Sequence, residues 1–325
     1  MNGISVIVCC YNSASRLPLA LKHLAHQKTP AALCWEIIIV NNNSNDNTVE
    51  TAQAVWRSLS PGRSLKIIDE KRPGLIFARI AGVKTAQYDI IIFCDDDNLL
   101  CENYLHYGYE LVRRTRNDGY AIWGGKPAAC FEPGSVIPDW FEAEKSNYVI
   151  GAQALENGDV SSRGYVWGAG MIILKEVFLK VTGDDLPLLL VGRKENVLLA
   201  GDDSEICYRC LIIGYKLYYD ENLKLKHYIP AYKLTADYNE GLKKGFSISG
   251  AILNKYAAFV YYISGKTYWQ RLFYKSVYSL KSILDRLKLR SLTTHDQTAL
   301  LALFNKKTNY DADFKIMHDL LQQKN

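Results

Sequence analysis

Four short apolar runs punctuate the first hundred residues: Ile4–Cys10, Glu36–Val40, Leu65–Ile68 and Asp89–Cys94. Each is separated from the next by a stretch of helical character. Arg16–His26 carries Leu17, Leu21 and Leu24; Asn47–Leu59 follows the N-cap types Ser44 and Asp46; Leu75–Ala86 follows a Pro-Gly turn. Strands alternating with helices mean an α/β fold with a parallel sheet and crossover helices. In such sheets ligands bind beyond the carboxyl ends of the strands. The segments at those ends are Tyr11-Asn12, Asn41-Asn42-Asn43-Ser44 and Asp95-Asp96-Asp97-Asn98, all polar. After Asn98 the pattern loosens into Gly-, Pro- and Trp-rich sequence over 120–170. Leu198–Ile213 then reads as a loop entering a helix, Lys216–Tyr219 and Leu223–His227 as strands, and everything from about 235 as a helical tail.

With 325 residues, 48% hydrophobic and 22% charged, the chain is neither disordered, collagen-like nor a coiled-coil rod. One large domain, or one domain with an appendage, supports itself at this size without disulfides. The eight cysteines fit that view, since Cys9, Cys10 and Cys94 lie inside apolar runs as small buried hydrophobes do. Cys207-x-x-Cys210 has redox or metal spacing but lies in a helical pattern without a second pair, so helix packing is the expectation. The start of the chain has no basic n-region of a signal peptide, and no apolar stretch reaches transmembrane length; Ala251–Ile263 is interrupted by Asn254 and Lys255. The expected compartment is the cytoplasm.

Three features carry chemistry. Asp95-Asp96-Asp97 follows the apolar Ile90–Cys94, and three carboxylates at a strand end require neutralisation. Alternation along an extended backbone would put Asp95 and Asp97 on one side, as two hard donors for Mg²⁺ or Mn²⁺; the plainer reading is a solvated acidic turn. Gly201-Asp202-Asp203-Ser204-Glu205 opens a helix. Alone it is simple capping; beside a metal–phosphate site it becomes a candidate general base. His227 is a lone histidine, of interest as a neutral imidazole that completes a divalent-metal shell.

In order and spacing, residues 3–230 resemble the family 2 glycosyltransferases, of the inverting GT-A type found in bacterial polysaccharide synthesis. Ile4–Asn12 is similar to the family's first strand and nucleotide-contacting turn, and Glu36–Thr48 to its second strand and base-recognition loop. Pro73-Gly74, Ala78-Arg79 and Gly82 match the segment before the metal motif, and Asp95-Asp96-Asp97 fits the DxD motif. Trp167–Met171 resembles the sugar and acceptor segment, Gly201-Asp202-Asp203 the acidic pair, and His227 the late histidine. The resemblance implies a GT-A, Rossmann-like, mostly parallel sheet flanked by helices over 1–232, with a helical C-terminal extension over 233–325. It also implies donor-nucleotide contacts from Tyr11, Asn12, Asn41, Asn43, Arg79, Asp95 and Asp96. A divalent ion, Mn²⁺ or Mg²⁺, would be held by Asp97, Asp95 and His227, with Asp203, assisted by Asp202, as the catalytic pair. Two departures stand out. Asn41 replaces a common Asp, which offers a donor as well as an acceptor to the base, and Asp202 replaces a more usual Glu.

The implied reaction is inverting transfer of a sugar from a nucleotide diphosphate, a UDP-sugar by preference. The acceptor is a hydroxyl of a glycan or polyprenyl-linked molecule in cell-surface polysaccharide synthesis. Trp123, Trp167 and Tyr165 are candidate platforms for the donor's sugar. Among rivals, a Rossmann oxidoreductase lacks its fingerprint, because Gly168-Ala169-Gly170 has no third glycine and sits mid-chain; no Walker A sequence is present. A sugar-phosphate nucleotidyltransferase would carry a glycine-rich basic loop where Cys9–Ser13 stands. A non-catalytic nucleotide-sugar-binding scaffold is the remaining alternative.

The net charge of +5 is unevenly spread. Residues 224–290 hold thirteen Lys/Arg against three acidic residues, a net of +10, which leaves −5 for the rest. Ten Phe, Tyr and Trp residues lie between Phe246 and Tyr278. A basic aromatic surface suits anionic lipid headgroups. The plainer reading is an amphipathic helical pair packed on the catalytic domain. No nucleic-acid motif accompanies the charge, so no nucleic-acid partner is expected. If 233–290 binds lipid, the protein is peripheral on the inner face of the plasma membrane.

Overall fold

The computed structural model describes residues 3–59, 63–192, 200–287, 291–304 and 312–323. Its strands are β1 (Ile4–Cys10), β2 (Trp35–Asn41), β3 (Lys66–Asp69), β4 (Ile90–Phe93), β5 (Asn98–Leu100), β6 (Tyr120–Phe131), β7 (Gly158–Asp159), β8 (Ile172–Leu174) and β9 (Lys216–Ile229). The helices are α1 (Leu17–Ala25), α2 (Thr48–Leu59), α3 (Leu75–Thr85), α4 (Tyr104–Thr115), α5 (Phe141–Glu144), α6 (Lys175–Val181), α7 (Asp202–Ile212), α8 (Ala236–Tyr262), α9 (Tyr268–Arg286), α10 (Thr294–Phe304) and α11 (Ala312–Gln322).

These strands form one sheet in the order β3-β2-β1-β4-β8-β6-β9-β5, with β7 beside β9. The half built from β1 to β4 is parallel throughout and fully buried at β1 and β4, as the unbroken apolar runs require. The order of the strands along the sheet reverses between β3 and β4, which places the ends of β1, β2 and β4 around one crevice. Beyond β4 the sheet turns mixed: β8 runs antiparallel to β4 and β6, while β6 and β9 run parallel.

One difference from the sequence expectation concerns β9. The charged Asp220-Glu221-Asn222 reads as a gap between two strands, yet 216–229 is one strand. The ladder steps from Gly124↔Tyr219 to Lys126↔Lys224, and Asp220 Oδ1 accepts from Asn222 N at 2.9 Å, so the polar residues loop out as a bulge. Gly125 faces it, where a Cβ would lie 2.1 Å from the Leu223 carbonyl oxygen. Gly125→Ala is therefore expected to cost several kcal/mol, roughly the upper range for point mutants, read as a lower urea midpoint; an unchanged midpoint would contradict this packing. A second difference is Trp123, whose ring is fully buried and whose Nε1 donates to Thr115 Oγ1 at 2.9 Å. It is a core residue and not a sugar platform.

The hydrophobic core continues across residue 232. Tyr256, Phe259 and Tyr262 of α8 share the cluster that contains β1 and β4, and Phe314 of α11 packs on Phe259. The Ser264 hydroxyl donates to the Leu211 carbonyl at the end of α7. By contrast, α9 is held through Tyr278, whose hydroxyl meets that of Tyr262 at 2.7 Å, and turns its other face outward. Trp269, Leu272, Phe273, Leu280, Ile283 and Leu287, at helical spacing, are all exposed. No described helix is long and apolar enough to cross a membrane.

Candidate active site

The acidic triplet is a turn and not a continuation of β4. Asn98 N donates to the Asp95 carbonyl at 2.9 Å, and Asp95 N donates to Asn98 Oδ1, closing the backbone over Asp96 and Asp97. The expected alternation of Asp95 and Asp97 on one side of an extended chain is therefore corrected: the carboxylates fan out. Each meets its own cation. Asp95 Oδ1 lies 3.7 Å from Arg79 Nη2, Asp96 Oδ2 lies 2.6 Å from Arg16 Nη2, and Asp97 Oδ2 lies 2.8 Å from Lys233 Nζ. Asp96 also accepts from the Ser13 hydroxyl, so its carboxylate is consumed inside the fold, where it holds the turn after β1.

His227 stands beside Asp97, with Nε2 3.3 Å from Asp97 Oδ2. Antiparallel pairing of Asn98 with His227 between β5 and β9 fixes this approach. The other ring nitrogen, Nδ1, lies 2.8 Å from the Tyr148 carbonyl. A carbonyl only accepts, so Nδ1 carries a proton toward it, and Nε2 is the ring nitrogen turned to Asp97. Burial pushes the Asp97 carboxyl up, but Lys233 and His227 outweigh it and hold it well below the usual range. Asp95 moves the other way, raised by burial against the pull of Arg79.

The second carboxylate pair arrives on α7. Asp202 is buried and bonded to Arg79 Nη1 at 2.8 Å. Arg79, itself buried over the Phe93 ring, thus bridges Asp95 and Asp202 through its two terminal nitrogens. Asp203 is only half-buried. Its Oδ2 accepts from Gly168 N at 2.6 Å and its Oδ1 from Ser204 N at 2.7 Å. Gly168 permits this approach: a Cβ there would sit 2.8 Å from Arg79 Nη2 and 3.1 Å from Asp203 Oδ2. Behind them Glu205, fully buried, pairs with Arg209 at 2.8 Å and accepts from Leu189 N, Leu190 N and the Tyr256 hydroxyl. Cys207 and Cys210 are buried free thiols pushed up by burial, as ordinary helix packing requires.

Asp202 carries a pH signature. Burial raises its pKa from 3.8 to about 6, against the pull of Arg79 and with a contribution from Asp203. The folded state therefore binds more protons than the unfolded state between about 4 and 6, and this group's contribution to stability falls as pH rises through that window. Asp202→Asn removes the term. The stability of wild type relative to Asp202→Asn is expected to improve as pH drops from 6.5 to about 4.5 in urea titrations; a pH-independent difference would contradict the assignment.

At the other end of the crevice, Asn12 and the β2 loop lock together. Asn12 N donates to Ser44 Oγ, and Asn12 Oδ1 accepts from Asn45 N at 2.9 Å. Asn41 Nδ2 donates to Asp69 Oδ1 at 2.8 Å, so a carboxylate stands beside the position where the family often has one. Tyr11 and Asn43 are exposed. Arg163 stacks near Tyr165 and Trp167, at 4.3 and 5.2 Å from their ring centroids. Sequence reasoning missed Ser13, Arg16, Asp69 and Lys233. Only the unpaired charge of the triplet signalled that cations were needed.

Residues 5–159 match the profile described as "Glycosyl transferase family 2". Over 246 residues the chain is 25% identical to the glycosyltransferase AglE of Haloferax volcanii, covering 75% of this chain and 71% of that protein. Over 92 residues it is 32% identical to polypeptide N-acetylgalactosaminyltransferase 11 of Xenopus tropicalis, covering 28% of this chain and only 15% of that protein. Among solved structures, S. aureus TarS 1–349 in complex with UDP-GlcNAc superposes with TM-score 0.55 at 14% identity, covering 99% of this chain and 88% of the other. The mannosyltransferase PcManGT of Pyrobaculum calidifontis, in complex with GDP-Man and Mn²⁺, gives TM-score 0.50 at 14% identity, covering 98% and 86%. The parallel β1–β4 half-sheet, the acidic turn at its carboxyl edge and these matches agree: residues 5–159 form a glycosyl transferase family 2 domain, and the chain has the GT-A fold.

Proposed function

We propose that the chain is an inverting glycosyltransferase that moves a sugar from a nucleotide diphosphate, a UDP-sugar by preference, to a hydroxyl of a glycan or polyprenyl-linked acceptor in cell-surface polysaccharide synthesis. The observation that carries this reading is Arg79, which joins the turn after β4 to the head of α7 and leaves Asp203 half-exposed beside it. Tyr11, Asn12, Asn41 and Asn43 face the nucleoside. Arg79 and Asp95 attend the donor, and Asp96 supports it by holding Ser13 and Arg16. Asp203 takes the proton of the attacking hydroxyl, held in place by the two backbone N–H groups that point at it. Asp202 orients Arg79. A single displacement from the opposite face needs no protein nucleophile, and the anomeric configuration inverts.

The residues at Asp97 fit a divalent cation. An imidazole nitrogen 3.3 Å from a carboxylate oxygen has the spacing of two ligands converging on one ion, since octahedral bonds of ~2.1 Å put neighbouring ligands ~3.0 Å apart. Among the described residues no group of three His, Cys, Asp or Glu converges, so the remaining positions fall to donor oxygens and water. Mn²⁺ or Mg²⁺ bound there would stabilise charge on the departing diphosphate. The neighbour solved with GDP-Man and Mn²⁺ supports this donor and metal class, as the one solved with UDP-GlcNAc supports the uridine donor.

In this proposal the exposed face of α9, within 233–290, is the membrane-facing part of a peripheral protein on the cytoplasmic side, while Lys233 and α8 are built into the catalytic core. The exposed apolar stripe of α9 and the net +10 of 224–290 support contact with anionic lipid. Co-flotation with anionic vesicles at low salt is expected; failure to float would remove this part. The transferase reading is tested by nucleotide release from a panel of UDP- and GDP-sugars with Mn²⁺, with and without acceptor. Acceptor-stimulated release is expected. Donor binding with no release would favour the scaffold, and formation of nucleotide sugar from sugar phosphate would favour a nucleotidyltransferase.

A further inference from the structure

We infer that Lys233 is the resident counter-ion of the divalent-cation site. Its ammonium holds the Asp97 carboxylate while no metal is bound, and is released to face the donor's diphosphate when a metal takes that carboxylate. The inference rests on the proposed metal-assisted transfer and adds a residue to it.

Lys233 follows β9 in a tight turn, Ala231–Leu234, where its own N–H donates to the Pro230 carbonyl at 2.9 Å. Lysine is almost never buried unless paired, and Lys233 is 5% exposed. Its Nζ lies 2.8 Å from Asp97 Oδ2, the same oxygen that His227 Nε2 approaches. Tyr148 ties the two neighbours of Asp97 together: its carbonyl accepts from His227 Nδ1, and its hydroxyl donates to the Lys233 carbonyl at 2.9 Å. One ammonium thus stands against the ligand pair Asp97 and His227. With Arg79 on Asp95 and Arg16 on Asp96, it completes one cation for each carboxylate of the triplet.

This arrangement has two consequences. A divalent ion must displace a charge-assisted hydrogen bond to gain Asp97, so the metal-free protein resists metal. Once displaced, a compact ammonium on a flexible stem remains within reach of the diphosphate, a ligand that lysine binds well as a point charge. Charge exchange at Asp97 therefore couples metal and donor binding: each is favoured by the other, as linkage demands.

The test uses the full chain and reads binding, not turnover. Mn²⁺ alone is titrated into wild type, Lys233→Gln and Lys233→Met by electron paramagnetic resonance, and UDP is titrated calorimetrically at saturating Mn²⁺. Circular dichroism selects a variant that folds. The expected result is Mn²⁺ affinity raised roughly ten- to a hundredfold in the variants, the worth of a hydrogen bond to a charged group, together with UDP affinity lowered by about tenfold. Mn²⁺ affinity unchanged or reduced in a folded variant, or Mn²⁺ binding by neither protein, would overturn the inference. If wild type binds Mn²⁺ and the variants bind it more tightly, but UDP and GDP bind to none of them, the counter-ion assignment to the metal stands and the nucleotide-sugar reading fails.

Discussion

Asp203→Asn is expected to lower the rate of sugar transfer by about 10²–10⁴-fold, the range a general base supplies, while UDP affinity stays within about twofold because an interaction made only in the transition state is removed. The geometry explains why its neighbour cannot stand in. Asp202 is buried with an oxygen 2.8 Å from Arg79, whereas Asp203 is half-buried and, among the described residues, bonded to the backbone N–H groups of Gly168 and Ser204 and to the Ser204 hydroxyl. Asparagine retains an oxygen for one of those N–H groups, so the head of α7 should persist. Steady-state kinetics alongside calorimetric UDP binding checks both halves. Transfer at the wild-type rate by Asp203→Asn would move the base elsewhere, and Asp202→Asn should not reproduce the same pattern, since it releases Arg79 and disturbs donor binding as well.

The second large effect lies behind the site. Arg209→Met leaves Glu205 fully buried without its countercharge, which costs about 3–5 kcal/mol where a buried pair is broken from one side. Arg209 also donates to the carbonyls of Val181, Leu186 and Pro187, and Glu205 gathers Leu189, Leu190 and Tyr256. The pair therefore fastens three things to α7: α6, the 186–192 segment and α8 of the C-terminal extension. That segment reaches Asp202, for a Cβ on Gly192 would lie 3.2 Å from its Oδ1. Equilibrium urea unfolding should show the loss, and transfer should fall with it at temperatures where the variant remains folded. A double replacement of Glu205 and Arg209 by apolar residues should recover part of the stability but not all, because the loop carbonyls stay unmet. Full stability in the single variant would mean that the extension is fastened by other contacts.

The parallel half of the sheet was legible because its strands are buried on both faces. Ile4–Cys10 and Ile90–Phe93 coincide with their apolar runs, and the polar ends of those runs mark the crevice. Asp203 and His227 are singled out as candidates by their place in an ordered series of motifs; their contacts were not legible there. Two of the triplet's three cations come from positions far along the chain, with Arg16 and Asp96 80 positions apart and Lys233 and Asp97 136 apart. In the sequence Lys233 is one more basic residue of a basic tail, and only the β9 register and the Tyr148 contacts turn it toward the site. The turn at Asp95–Asn98 was hidden for a related reason. An Asn after an acidic triplet continues an extended run as readily as it closes a turn, until its carboxamide is seen accepting from Asp95 N. The tail divides by the same logic. Periodicity alone does not distinguish α8, which buries Tyr256 and Phe259 in the common core, from α9, which leaves Trp269 and Phe273 outside.

The proposed reaction is one displacement at the anomeric carbon, driven from the side of Asp203 against a diphosphate on the side of the acidic turn. The product's anomeric configuration tests it most directly. A single round of transfer from an α-linked UDP-sugar, stopped before equilibration and examined by NMR, should give a β-linked product. An α-linked product would require either two displacements or departure and attack on the same face, and would contradict the account.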